Sequence, residues 1–98
     1  MIEVLVLVDV KNLENREVFE KHIKKEGFEV IPNEEHVYTG QSSTTTFSTK
    51  AYILEVFKKG LQKSGFDECQ IVFLLNETPY PPYYYDKTTN DFELAPDA

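Results

Sequence analysis

The chain has 98 residues and one cysteine, is 41% hydrophobic and 28% charged, and carries a net charge of −7. That size suits a single domain able to bury a core without disulfides or metal. No apolar run approaches the roughly 20 residues of a membrane span, and the acidic excess argues against unassisted nucleic-acid binding, which needs a basic face.

The charge is unevenly placed. Residues 1–65 hold nine Lys and Arg against ten Asp and Glu, whereas residues 66–98 hold Lys87 alone against seven acids. Cys69 precedes an apolar run and reads as a small buried hydrophobe in a reducing compartment rather than a reactive thiol. The start of the chain lacks a basic region followed by an apolar stretch and cleavage site. The expected compartment is the cytoplasm of a bacterium or archaeon.

Ile2 to Val8 predicts a strand, with Ile2, Val4, Val6 and Val8 on one face and Glu3, Leu5 and Leu7 on the other. Asn12 is the expected N-cap of a helix from Leu13 to Glu26, whose stripe is Val18, Phe19, His22 and Ile23. Gly27 suits its left-handed end. Phe28 to Ile31 begins a second strand, Pro32 forces a bulge or an edge position, and His36 to Thr39 resumes extended structure. Gly40 marks a turn, and the Ser/Thr-rich Gln41 to Phe47 favours a strand. A second helix is expected from Lys50 to Ser64, capped by Ser48 or Thr49 and ended by Gly65. Ile53, Leu54, Phe57 and Leu61 form its stripe, interrupted by Gly60. Gln70 to Leu75 closes the series as a strand.

A repeat underlies this order. Glu17-Val18-Phe19, Lys21, Ile23, Lys25 and Gly27-Phe28 return 38 residues later as Glu55-Val56-Phe57, Lys59, Leu61, Lys63 and Gly65-Phe66. Two similar halves in the order β-α-β-β-α-β predict an α+β, ferredoxin-like sandwich over residues 1–75. Its four-stranded antiparallel sheet has two helices on one face, strands one and three central and strands two and four at the edges. Strands one and four carry apolar residues on both faces, so something must cover the sheet's open side. The candidates are a second copy of the chain and the C-terminal extension.

That extension, residues 76–98, is acidic and rich in Pro and Tyr. Pro79, Pro81 and Pro82 exclude a helix, and Phe92 to Leu94 is a candidate fifth strand. Tyr80, Tyr83, Tyr84, Tyr85 and Phe92 form an interaction surface, either packing on the sheet of their own chain or a partner's, stacking on bases or serving as a proline-rich ligand. The last few residues are expected to be disordered.

Asp9 is the main candidate for chemistry. It follows an apolar strand, where a carboxylate either ties down the turn before the helix or holds a divalent ion against phosphate. A twofold dimer would bring two copies together. His36, beside Glu34 and Glu35, is a weaker candidate for a base or ligand. His22 reads as a partly buried core residue. The lysines gathered toward the helix ends, Lys21, Lys24, Lys25, Lys58, Lys59 and Lys63, either complement the helix dipoles as solvated cations or form a local basic patch.

The apolar strand ending in Asp9, Arg16 beyond it, the helix closed by Gly27-Phe28, and Val37-Tyr38-Thr39-Gly40 resemble the CRISPR-associated small endoribonuclease family and the related virulence-associated protein D family. The resemblance implies a ferredoxin-like dimer that cleaves nucleic acid, with Asp9 as catalytic and metal residue, Arg16 as a phosphate contact, and Mg or Mn as cofactor. The chain departs from that pattern after the second strand, where Pro32 to His36 replace a Gln-Ser-Val-Phe-like stretch.

The reading that follows is a cytoplasmic, homodimeric, non-catalytic regulatory or protein-interaction module of a toxin–antitoxin or defence system, requiring no cofactor. The alternatives are a metal-dependent endoribonuclease using paired Asp9 and a small-molecule or ion-sensing domain.

Overall fold

A computed structural model describes residues 1–31, 36–89 and 91–94. The elements are β1 (Ile2–Lys11), α1 (Arg16–Lys25), β2 (Glu29–Val30), β3 (Val37–Ser42), α2 (Thr46–Ser64), β4 (Glu68–Leu75), β5 (Thr78–Pro79), β6 (Tyr83–Asp86) and β7 (Glu93–Leu94). They form an α+β fold with one antiparallel seven-stranded sheet in the order β2-β3-β1-β4-β6-β7, and β5 pairs with β4. The expected four-stranded sheet is therefore too small. β4, expected at an edge, lies between β1 and β6, because the extension supplies further strands to its free side.

Strand alternation sorts the side chains. Val4, Val6 and Val8 of β1 and Cys69, Ile71, Phe73 and Leu75 of β4 are buried. They share one cluster with Phe19 and Ile23 of α1 and with Ile53, Val56, Phe57 and Leu61 of α2. The repeated residues take equivalent places. Phe19 and Phe57 meet with ring centroids 6.0 Å apart. Gly27 and Gly65 both adopt positive φ, +100° and +82°, which L side chains rarely do. Phe28 and Phe66 are both buried. Val18 is exposed where Val56 is buried, so the halves are similar rather than identical.

Several boundaries differ from expectation, each for a local reason. α1 begins at Arg16, and its cap is Asn15, whose Oδ1 accepts the Val18 N–H at 3.1 Å. Asn12 instead takes a φ of +56° and donates its side-chain amide to Asp67. Gly40 is not a turn: it lies within β3, opposite Val4. A Cβ there would stand 3.1 Å from the Phe28 ring, so the bare backbone makes room for that ring. β2 and β3 pair as an antiparallel hairpin with Val30 opposite Tyr38. The strand expected over Gln41 to Phe47 stops at Ser42, and α2 starts at Thr46. Thr45 Oγ1 accepts the Ser48 N–H at 3.1 Å, so the hydroxyl run caps a helix instead of extending the sheet. The bulge expected at Pro32, the acids Glu34 and Glu35, and the disorder expected of the last residues lie outside the described residues.

Among the described residues of the extension there is no helix. β4 turns into β5 through Asn76 and Glu77, both at positive φ (50° and 69°), the backbone of a two-residue hairpin turn. Asn76 is tied to the start of β1 from both sides: its N–H donates to the Glu3 carbonyl, and its Oδ1 accepts the Glu3 N–H, each at 2.9 Å. The expected fifth strand is present as β7, paired to β6 through Tyr84–Glu93 and Tyr83–Leu94. No helix of the described residues is long and apolar enough to cross a membrane.

Candidate functional site: the open sheet face

The uncovered face follows from the register. Leu5 stands between Thr39 and Leu74, and Leu7 between Val37 and Val72. These residues make an apolar patch three strands wide. Leu7 is 40% exposed, and Leu5, Val37, Val72 and Leu74 are half-buried. Polar residues bound the patch at both ends. At one end Gln41 donates to Glu3 at 2.9 Å. At the other, Lys11 pairs with Glu68 at 2.9 Å, and the Tyr84 hydroxyl donates to Glu68 at 2.8 Å. Those two contacts hold the Glu68 carboxyl below its usual range, Lys11 contributing most. The Tyr84 phenol is pushed up, mainly by its bond to Glu68.

The extension does not lie over this face. Tyr83 and Tyr85 pair with Ile71 and Cys69 and point to the helix side. Tyr80 and Tyr83 both stack on Phe73, with centroids at 5.6 and 5.8 Å. Tyr85 packs between Phe66 and Phe92, each at 5.1 Å, and accepts a hydrogen bond from Gln62 at 3.0 Å. Of the five residues of the expected interaction surface, four thus pack on their own chain's core. Tyr84 alone points to the open side.

Asp9 sits on the open face beyond Leu7. It does not end its strand, since β1 continues to Lys11 and Asp9 pairs with Gln70. Its carboxylate is exposed and borders a shallow cleft of about 190 Å³ shared with Leu7, His36, Val37, Gln70 and Val72. The His36 carbonyl accepts the Val8 N–H at 2.8 Å, which fixes the histidine's backbone beside the cleft. Sequence alone did not join Asp9 to His36 and Gln70, because only the β1–β3 and β1–β4 registers bring them together.

Arg16 belongs to the helix layer on the other side of the sheet, where its guanidinium pairs with Glu20 at 3.0 Å. Asp9 and Arg16 therefore do not share a site within one chain. His22 is buried in the same helix layer. Its Nδ1 lies 3.2 Å from Lys63 Nζ, and its Nε2 has no hydrogen-bond partner among the described residues. Burial, and then Lys63, holds its pKa below the usual value. Cys69 is buried, and burial followed by the nearby Asp9 charge pushes its thiol up to about 12, so it is not a thiolate at neutral pH.

Among the described residues no three His, Cys, Asp or Glu side chains converge as a metal site. One chain offers Asp9 and His36 to a divalent ion, short of the oxygen-rich set that Mg or Mn takes. Comparison with protein-family models, curated proteins and solved structures finds no match to this chain.

Proposed function

We propose that the protein is a homodimeric, non-catalytic regulatory or interaction module of a toxin–antitoxin or defence system, built on a ferredoxin-like βαββαβ unit that its own extension widens. The strand order β2-β3-β1-β4, with both helices on one side, supports the fold reading. The observation that carries the functional reading is the apolar patch of Leu5, Leu7, Val37, Val72 and Leu74, which no element of the described chain covers. Apolar surface of this kind marks a contact site, and a second copy would present the same residues across a twofold axis. Capture of a binding partner by the wild-type chain and not by Leu7→Lys would support an interaction role for this face. Equal capture by both would count against it.

A second reading, a metal-dependent endoribonuclease, is favoured by one feature: Asp9 and His36 border a single cleft at the margin of the same patch. A face-to-face dimer would bring two such clefts near its axis, and Asp9 from each copy would then add to a ligand set too small in one. Incubating the full chain with RNA and Mg²⁺ or Mn²⁺ tests this. Cleavage lost in Asp9→Ala would favour the nuclease. Wild type and variant equally inert across pH would remove it.

A further inference from the structure

A second cavity lies on the helix side of the sheet. Its origin is a mismatch between the two halves. α2 runs for 19 residues and α1 for 10, and the end of α1 is reached at Tyr52, whose hydroxyl bonds to the Glu26 carbonyl at 2.8 Å. The first turns of α2 therefore project past α1. Beneath them, β3 presents Gly40 and Ser42 in place of a large side chain like Tyr38. The space left over is about 420 Å³, within the range of small-molecule sites.

The lining combines two chemistries. Val4, Phe28 and Ile53 make an apolar floor, and Ser43, Thr44 and Ser48 add hydroxyls at the rim. Glu26 carries the only formal charge among the described lining residues. Its carboxylate is held by the Tyr52 hydroxyl at 3.0 Å, and the Tyr52 ring stacks on Phe28 at 6.2 Å and an interplanar angle of 18°. A carboxylate at the margin of an apolar cavity is a recognition element for an ammonium group, which it binds by a charge-assisted hydrogen bond, and the floor suits the hydrocarbon body attached to one.

We infer that this cavity binds a small cationic amine with a flat apolar body. The inference is independent of the dimer and nuclease readings, which concern the other side of the sheet.

Amide chemical-shift titration of the ¹⁵N-labelled full chain with tryptamine and indole-3-acetate, which carry the same ring with opposite charge, tests it. Shifts at millimolar tryptamine should cluster at Gly27, Gly40 to Thr44 and Ser48 to Tyr52. Tryptamine should bind roughly thirty-fold tighter than indole-3-acetate, since reversing the ligand's charge changes the energy by twice that of one contact between unit charges in water. Glu26→Gln should erase that preference while leaving the rest of the spectrum in place. Ser48→Trp, a change at an exposed rim position, should plug the cavity and abolish the shifts. Scattered or absent shifts with tryptamine would overturn the inference. So would indole-3-acetate binding as tightly as tryptamine, as would happen if the amino-terminal end of α2, which has no acid in its first turn, governed the site.

Discussion

Gly60 of α2 lies directly beneath the Phe19 ring of α1: a Cβ at Gly60 would stand 3.1 Å from that ring and 3.3 Å from the His22 imidazole. Phe19 cannot move aside easily, since it also meets Tyr38 and Phe57, each at 6.0 Å. The glycine that weakens the helix in isolation is where the two helices approach.

Gly60→Ala sets two effects against each other. Alanine gains about 1 kcal/mol of helix propensity, while overpacking a filled contact costs about 1–3 kcal/mol. The contact should win, with a net loss of about 1 kcal/mol and a fall in melting temperature of about 4–8 °C. Thermal unfolding followed by circular dichroism measures it. A stabilised variant would mean that the helices separate without penalty.

His22 sets the sign of a pH dependence. Its folded pKa lies below the ordinary 6.5, through burial first and Lys63 second, with Glu26 opposing and Lys25 adding to Lys63. The unfolded chain therefore binds the proton more readily than the folded one. The stability this residue contributes is fully present above pH 6.5 and is lost as pH falls from there through the folded value. Urea denaturation at a series of pH values should show that decline, and His22→Leu should flatten it. An unchanged slope in the variant would assign the pH dependence to other groups.

The extension belongs to the core. Phe92 is buried against Tyr85 with centroids at 5.1 Å, whereas Leu94, two residues on, is 61% exposed. Phe92→Ala should cost about 2–3 kcal/mol, somewhat under the usual penalty for a central phenylalanine. Leu94→Ala should stay within about 0.5 kcal/mol. Equal small effects in denaturant titrations would make the extension an appendage.

Much of this arrangement was legible in the residues themselves. The glycine–aromatic endings of both helices, the inward stripe of Val4, Val6 and Val8, and the apolar character of the opposite face rest on local periodicity. What failed depended on partners distant in sequence. Gly40 is a strand residue because Phe28 lies against it, and a glycine read alone suggests a turn. The hydroxyl run at Ser42 to Thr49 serves strand or cap equally well until Thr45 meets Ser48. Tyr83 and Tyr85 join the core only because β6 pairs with β4, a register their own composition does not encode. The same holds for the cleft: Asp9 was visible, but its neighbours Gln70 and His36 come from β4 and from the turn that leads into β3.

The open face is tested most directly by the molar mass of the full chain in solution. Light scattering across a wide concentration range should return twice the 11.4 kDa chain mass for the wild type. Leu7→Lys, which puts a charge at the centre of the patch without touching the core, should return the single-chain value and still unfold cooperatively, at a lower temperature than the wild type because it loses the stabilisation that association gives. A wild-type chain that stays at 11.4 kDa at the highest concentrations, soluble and folded, would contradict the dimer.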